Sequence, residues 1–509
     1  MKMCRTANAF TGYSHSPTIF ANNKHWKFMS LPEAFLKQTQ NLLGDEAENL
    51  VTALEKPASV SIRMNPSKLG EKMSDALSAF LAESVPWSSF GRYLNDRPAF
   101  TFDPLLHAGC YYVQEASSMF VEQALNKALE VLGGVPVRML DLCAAPGGKS
   151  TLAASVLPSG SLLVANELIR TRANILAENL VKWGNPDVIV TQSDPSSFSG
   201  LTDFFDVILT DVPCSGEGMF RKDPGAITEW SEDNVKLCAS RQRDILKQSW
   251  TALRPGGCLI YSTCTFNRLE DEDNIRWICD ELGAKVLDIP VPSEWHITGS
   301  LGYTSVESQD FTLLDLTDEN IPVYRFMPHK TKGEGFFLAL LQKEEGYYSS
   351  GKLPKVKLSN NQKKQLEIPD SVRGLLKNPD AFDFSYDRLG RICALRNNHK
   401  PALHLLEKNL RIVHAGIVMG EVKGKDLLPD ISLALSNELK IESVKTFSLD
   451  LKQSIAYLRR EALTLPETCP LGWVLMMYEG HPLGWMKNIG NRANNGYPIE
   501  WRIRSENPY

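Results

Sequence analysis

The sequence predicts an α/β fold in which a doubly wound, mainly parallel sheet follows a small α/β unit and precedes a β-rich one. Three observations lead there. Short β-branched apolar runs alternate with helical stretches between residues 137 and 263, the pattern of strands joined by crossover helices. A small-residue turn, "CAAPGGK" at 143–149, separates the first of these strands from its helix. Beyond residue 380 the pattern changes to alternation, as in "GWVLMMYEGHPLGWMKNIG" at 472–490, which fits paired strands.

Size and composition set the frame. A chain of 509 residues exceeds what one hydrophobic core organises, so several domains are expected. Hydrophobic residues at 43% and charged residues at 23% fit a globular protein, and no apolar run approaches the ~18 residues of a membrane span. The first 28 residues lack the apolar core of a secretory signal, so a cytoplasmic protein is expected. Met29 opens "MSLPEAFLKQTQNLL", a helix by its apolar spacing, which marks residues 1–28 as an extension from an upstream start.

Taken in order, residues 30–55 carry helical spacing and "PASVSIRMNPSK" (57–68) alternates like a strand, giving a small α/β domain over 29–110. "YYVQEASSMFVEQALNKALEVL" (111–132) reads as a helix that leads into a central domain over 111–345. There, strands are predicted at 137–142, 161–166, 187–191, 206–210 and 257–263, with helices near 149–157, 170–182 and 231–253 and a last strand within 334–343. The polar, Lys-rich stretch at 346–380 reads as a linker, and 381–509 forms a C-terminal region with a tight turn at Gly480.

Charge is uneven along the chain. Residues 351–509 hold 24 Lys+Arg against 17 Asp+Glu, a net of +7, which leaves −12 for the rest of a chain whose net charge is −5. The C-terminal third is therefore expected to face a polyanion. Ten cysteines are scattered without a C-x-x-C pair, so no zinc centre is expected and most are read as small buried hydrophobes.

The turn "RMLDLCAAPGGKS" (138–150) is a strand, a small-residue bend and a helix start, where backbone N–H groups can approach a ligand closely. It differs from the phosphate-binding G-x-x-x-x-G-K-[ST] pattern by Cys143 in place of the first glycine. Glu167 ends the second strand 19 residues beyond Gly148, where an acid binds a ribose hydroxyl pair in doubly wound folds. Asp194 follows the third strand and is placed for an adenine edge, while Asp211 ends the fourth. A ligand with an adenosine and no polyphosphate fits this order, which favours S-adenosylmethionine over ATP or NAD.

Two cysteines stand at strand ends. Cys214 follows the strand 206–210 by four residues, and Cys264 terminates the strand 257–263. If those strands pair, both thiols share the rim where reacting groups of open α/β sheets sit. Methylation of a pyrimidine at carbon 5 needs such a thiol, because addition of a thiolate at carbon 6 makes carbon 5 nucleophilic. A second thiol nearby can assist release, and Asp211 can accept from an exocyclic amine, which would select cytosine.

"DLCAAPGGKS", "NE" at 166–167, "DVPCSGEGMFRKDP" and "LRPGGCLIYSTCTFNRLEDED" resemble the signature segments of the RNA 5-methylcytosine methyltransferases of the NOL/NOP/Sun family. The resemblance implies a Rossmann-like methyltransferase core with the nucleophile on Cys264 in "STCT" and the family's second cysteine on Cys214 in "PCSG". It implies S-adenosylmethionine on Cys143, Ala144, Ala145, Pro146, Gly147, Gly148 and Lys149, with Glu167, Asp194 and Asp211. "RFMPHKTKGEGFF" (325–337) and the tail "PLGWMKNIGNRANNGYPIEWRIR" resemble the bacterial small-subunit rRNA branch, which implies 16S rRNA or the small ribosomal subunit as partner and a PUA-like C-terminal RNA-binding domain. In that tail Trp485, Lys487, Arg492, Tyr497, Trp501, Arg502 and Arg504 are expected to combine phosphate contacts with base stacking, and Arg63 is a further candidate of the same kind. A monomer is expected. The alternatives are a tRNA cytosine-5 methyltransferase and a non-catalytic ribosome-assembly factor.

Overall fold

The structure, a computed structural model, describes residues 31–69, 79–301, 321–345, 368–424 and 426–505. The predicted extension 1–28 and most of the predicted linker lie outside these residues. The described residues open with helices Glu33–Leu43 and Ala47–Leu54. An antiparallel sheet follows, built from β1 (Val60–Met64), β2 (Leu81–Ser84), β3 (Gly91–Leu94) and β4 (Tyr111–Val113) in the order β2-β3-β1-β4.

The central sheet begins with β5 (Arg138–Asp141), β6 (Leu162–Asn166), β7 (Val188–Thr191), β8 (Phe205–Asp211) and β9 (Leu253–Thr263). It is extended by β10 (Ala284–Leu287), β11 (Tyr324–Phe326) and β12 (Phe336–Lys343). Strands β7, β6, β5, β8 and β9 lie parallel in that order, and β12 and β10 add antiparallel beyond β9. Both faces are covered, which is why the strands read as continuous apolar runs. Met139, Leu163 and Ala165 point into one core, while Leu140, Leu162 and Val164 point into the other.

The C-terminal region supplies β13 (Phe382–Tyr386) and β14 (Arg391–Arg396), then β15 (Ile412–Ala415), β16 (Ile417–Lys423) and β17 (Asp426–Pro429). The last sheet holds β18 (Thr446–Ser448), β19 (Gly472–Tyr478), β20 (His481–Asn488) and β21 (Ala493–Asn495). The turn expected at Gly480 links β19 to β20, with Glu479 and Gly480 both at positive φ (47° and 81°), the geometry that lets a two-residue hairpin turn follow the strand twist.

Two elements differ from the sequence reading. The helix expected from residue 111 starts at Val121, because Tyr111–Val113 pairs with β1, Arg63 opposite Tyr112; aromatic and β-branched residues fit a pleated surface better than a helix start. β15 leaves the C-terminal region and pairs antiparallel with β7, so the central sheet ends on a strand contributed from beyond residue 381.

Candidate active site

The order of the central sheet reverses between β5 and β8: β6 and β7 lie to one side, β9 to the other. Ligands of open α/β sheets bind at that switch point, outside the carboxyl ends of the strands. The turn after β5 runs into helix Gly148–Val156, and Gly147 stands at φ 116°, a conformation that glycine alone adopts without strain. The Ala144 amide donates to the Asn166 carbonyl at 2.8 Å, which ties the turn to the end of β6.

Behind this turn Asp141 is fully buried. Ser150 Oγ donates to its Oδ2 at 2.6 Å, while Oδ1 has no partner among the described residues. Burial pushes its carboxyl up to about 7. Burial also raises the Cys143 thiol, which disfavours a thiolate there. Glu167 accepts from the Ile169 amide at 2.9 Å and pairs with Arg172 at 3.3 Å. Arg172 also donates to the Ala145 carbonyl at 3.0 Å, so one guanidinium joins Glu167 to the turn. Asp194 is exposed and uses Oδ1 to accept from the amide (2.9 Å) and hydroxyl (2.6 Å) of Ser196, capping the turn that follows β7.

The rim of β8 and β9 lies beside this turn. The two strands run parallel with Asp211 opposite Ser262, which sets the loops beyond them side by side. Cys214 Sγ and Cys264 Sγ are 2.9 Å apart, and the Cys264 amide donates to Cys214 Sγ at 3.3 Å. The Cys264 hydrogen bond, together with burial, pushes the Cys214 thiol well above its ordinary value. Asp211 accepts from Ser262 Oγ at 2.9 Å and from Lys149 Nζ at 2.7 Å. Burial alone would lower Lys149, but the Asp211 carboxylate outweighs it and holds the ammonium above its ordinary value. Lys149 therefore faces Asp211 and the thiol rim although it springs from the small-residue turn.

A second layer of polar groups, absent from the sequence reading, lies under the thiols. Glu270 is buried and accepts from the Ser215 amide (3.0 Å), Gln242 Nε2 (2.6 Å) and Asn267 Nδ2 (2.7 Å). Glu217, equally buried, accepts from the Phe266 amide (2.9 Å), Trp230 Nε1 (2.9 Å) and Gln38 Nε2 (2.8 Å). In the sequence Glu270 belongs to "LEDEDN", an acidic run that reads as a solvated helix start, so no local signal singles it out.

Three of the proposed RNA contacts are core residues. Arg63 is 1% exposed, donating to Gln114 Oε1 at 2.8 Å, Thr151 Oγ1 at 2.5 Å and the Gly148 carbonyl at 3.2 Å, with its guanidinium 4.5 Å from the Trp183 ring. Trp485 is 3% exposed and donates its indole N–H to the Asp430 carbonyl, and Tyr497 is buried against Tyr457. Arg492, Arg502 and Arg504 are exposed, while Lys487 and Trp501 are half-buried.

Three families match the chain: "16S rRNA methyltransferase RsmB/F" over residues 136–342, "N-terminal domain of 16S rRNA methyltransferase RsmF" over 31–116, and "Methyltransferase RsmF PUA domain" over 444–503. The ribosomal RNA small subunit methyltransferase F of Aliivibrio salmonicida is 30% identical over 499 residues, spanning 92% of this chain and 97% of that one. That of Erwinia tasmaniensis is 28% identical over 502 residues, spanning 94% and 98%. The solved structure of PH0851 shares the fold, with a TM-score of 0.51 at 24% identity over 62% of this chain and 66% of that one. Matched in this way over more than nine-tenths of its length, from its N-terminal helices through its catalytic sheet to its last β-sheet, the chain belongs to the RsmF family of S-adenosylmethionine-dependent 16S rRNA methyltransferases.

Proposed function

We propose that this protein methylates carbon 5 of a cytosine in 16S rRNA through a covalent adduct between Cys264 and carbon 6 of the base. The observation that carries the reading is the thiol pair: two sulfurs 2.9 Å apart at the ends of adjacent parallel strands, beside an Asp211–Lys149 ion pair and the turn that follows β5. The turn fits S-adenosylmethionine better than a polyphosphate, because Lys149, the cation it carries, is committed to Asp211. The turn Cys143–Gly148, Glu167 and Asp194 would hold that cofactor, which supplies an electrophilic sulfonium methyl when bound.

The chain's own residues then divide the remaining work. Cys264 sulfur adds to carbon 6, and the carbon 5–carbon 6 π pair becomes available at carbon 5. Asp211 would accept from the exocyclic amine of cytosine, a role supported by the Lys149 ammonium 2.7 Å from its carboxylate. Once carbon 5 is methylated, a solvent water takes its proton, the carbon 5–hydrogen electron pair re-forms the carbon 5–carbon 6 double bond, and the bond to sulfur breaks so that Cys264 leaves as thiolate. Cys214, held as a thiol, assists that release. The base must leave its stack to reach the rim, a task in which the flanking N-terminal and PUA domains position the RNA.

Bisulfite sequencing of rRNA and tRNA from cells carrying wild type, Cys264→Ala or no enzyme tests this reading. One protected cytosine in 16S rRNA is expected to disappear in both the null and Cys264→Ala cells. Cys214→Ala is expected to trap a protein–RNA adduct stable on denaturing gels. Protection that survives Cys264→Ala removes that residue as nucleophile, and a loss confined to tRNA moves the substrate.

A further inference from the structure

The two thiols are chemically alike, yet the proposed reaction gives them different tasks, so something must fix which sulfur stands where. The backbone on the far side of each cysteine is held by a buried carboxylate. Ser215, the residue after Cys214, donates its amide to Glu270 at 3.0 Å. Phe266, two residues after Cys264, donates its amide to Glu217 at 2.9 Å. Asn267 Nδ2 bridges the pair, 3.2 Å from Glu217 Oε1 and 2.7 Å from Glu270 Oε1. The loops are also joined directly, since the Gly218 amide donates to the Cys264 carbonyl at 2.9 Å. Neither carboxylate reaches the rim itself: both are fully buried beneath it.

We propose that Glu270 and Glu217, bridged by Asn267, are positioning residues that lock the Cys214 loop against the end of β9 and so set the separation of the two thiols. This rests on the reading of Cys264 and Cys214 as the reacting pair. Two carboxylates joined through one amide are an expensive arrangement to bury, and burial together with the Glu217 charge raises Glu270 to about 7. What the arrangement provides is reach: each carboxylate accepts from several directions at once and holds backbone and side-chain donors of two loops together.

The test reads thiol geometry separately from methyl transfer. The intact protein is treated with dibromobimane, which becomes fluorescent on bridging two thiols, and the Cys214–Cys264 cross-linked peptide is measured by mass spectrometry alongside methylation of 16S rRNA. Wild type is expected to give the cross-link. Glu270→Ala is expected to lose it by roughly tenfold and to lower kcat by about a hundredfold with KM for RNA little changed, the signature of displaced reacting groups. Glu270→Gln, which keeps an acceptor for the Ser215 amide, is expected to restore most of both. If Glu270→Ala does not fold, Asn267→Leu is read in the same way and is expected to lose the cross-link too. Full cross-linking in folded Glu270→Ala or Asn267→Leu overturns the proposal. Cross-linking without any methylation by wild type instead overturns the reaction reading.

Discussion

Buried carboxylates give this site its pH character. Asp141, with an ordinary value of 3.8, and Glu270, with one of 4.5, are both raised to about 7, in each case chiefly by burial. Below their ordinary values both groups are protonated whether the chain is folded or not, and their contribution to stability is fully present. As pH rises past those values the unfolded chain releases its protons while the native state retains them, so the contribution is lost progressively up to about pH 7. Between pH 5 and pH 7 each of these two groups therefore contributes a downward slope of roughly 1.4 kcal/mol per pH unit, opposed up to about pH 6.5 by the buried His107 and His414, which burial lowers to about 3 and about 4. Glu270→Gln should flatten that slope by its own share, as scanning fluorimetry at pH 5, 6 and 7 would show; an unchanged slope would mean that Glu270 ionises normally in the folded state. The rim residues were legible in the sequence because Cys214, Cys264 and Asp211 each follow an apolar run, and strand order brings such ends together. The carboxylates beneath were not, because Glu217 and Glu270 become neighbours only after two loops cross.

Among the elements, β1 shows how a residue type misleads when its burial is unknown. An arginine beside a short strand suggests a phosphate contact, yet Arg63 lies inside, fastening β1 to the helix that follows the small-residue turn. Burial lowers its guanidinium to about 9, and the groups it donates to are neutral: Gln114, Thr151 and the Gly148 carbonyl. Removing it takes the guanidinium donor from the buried Gln114 Oε1 and opens a void against Trp183. Arg63→Ala is expected to destabilise the protein by about 3 kcal/mol, visible as a lowered midpoint in urea. The salt dependence of RNA binding by the folded fraction should stay as in wild type, since that slope counts phosphate contacts; a shallower slope would return Arg63 to the RNA surface. The parallel strands were readable from their apolar runs, whereas β4 was hidden in a segment whose later residues are helical.

At the scale of the molecule, the C-terminal region shares cores with both of the units that precede it. Ala402, Leu406 and Leu410, from beyond residue 381, belong to the same core as Leu140, Ile189 and Ile208 of the catalytic sheet. Asp187, just before β7, pairs with Arg396 at 2.9 Å and with His399 at 3.1 Å, and β15 caps the edge of β7. The last sheet turns the other way: Val474, Met486 and Tyr497 share a core with Ile62 and Tyr111 of the first. The C-terminal region thus covers one edge of the catalytic sheet and reaches back to the N-terminal unit. A sequence pattern reports which residues want burial but not which distant partner buries them, so this closure was not legible. A fragment ending at residue 345 would expose the β7 edge, a template for strand addition, together with the apolar face that Leu406 covers. It is expected to aggregate when expressed alone and to co-purify as a 1:1 complex when residues 368–509 are supplied as a separate chain. Size-exclusion chromatography decides: a 1–345 fragment that is monomeric and melts like the full chain would show that the catalytic sheet does not need β15, whereas rescue in trans would show that the C-terminal region is part of the catalytic fold.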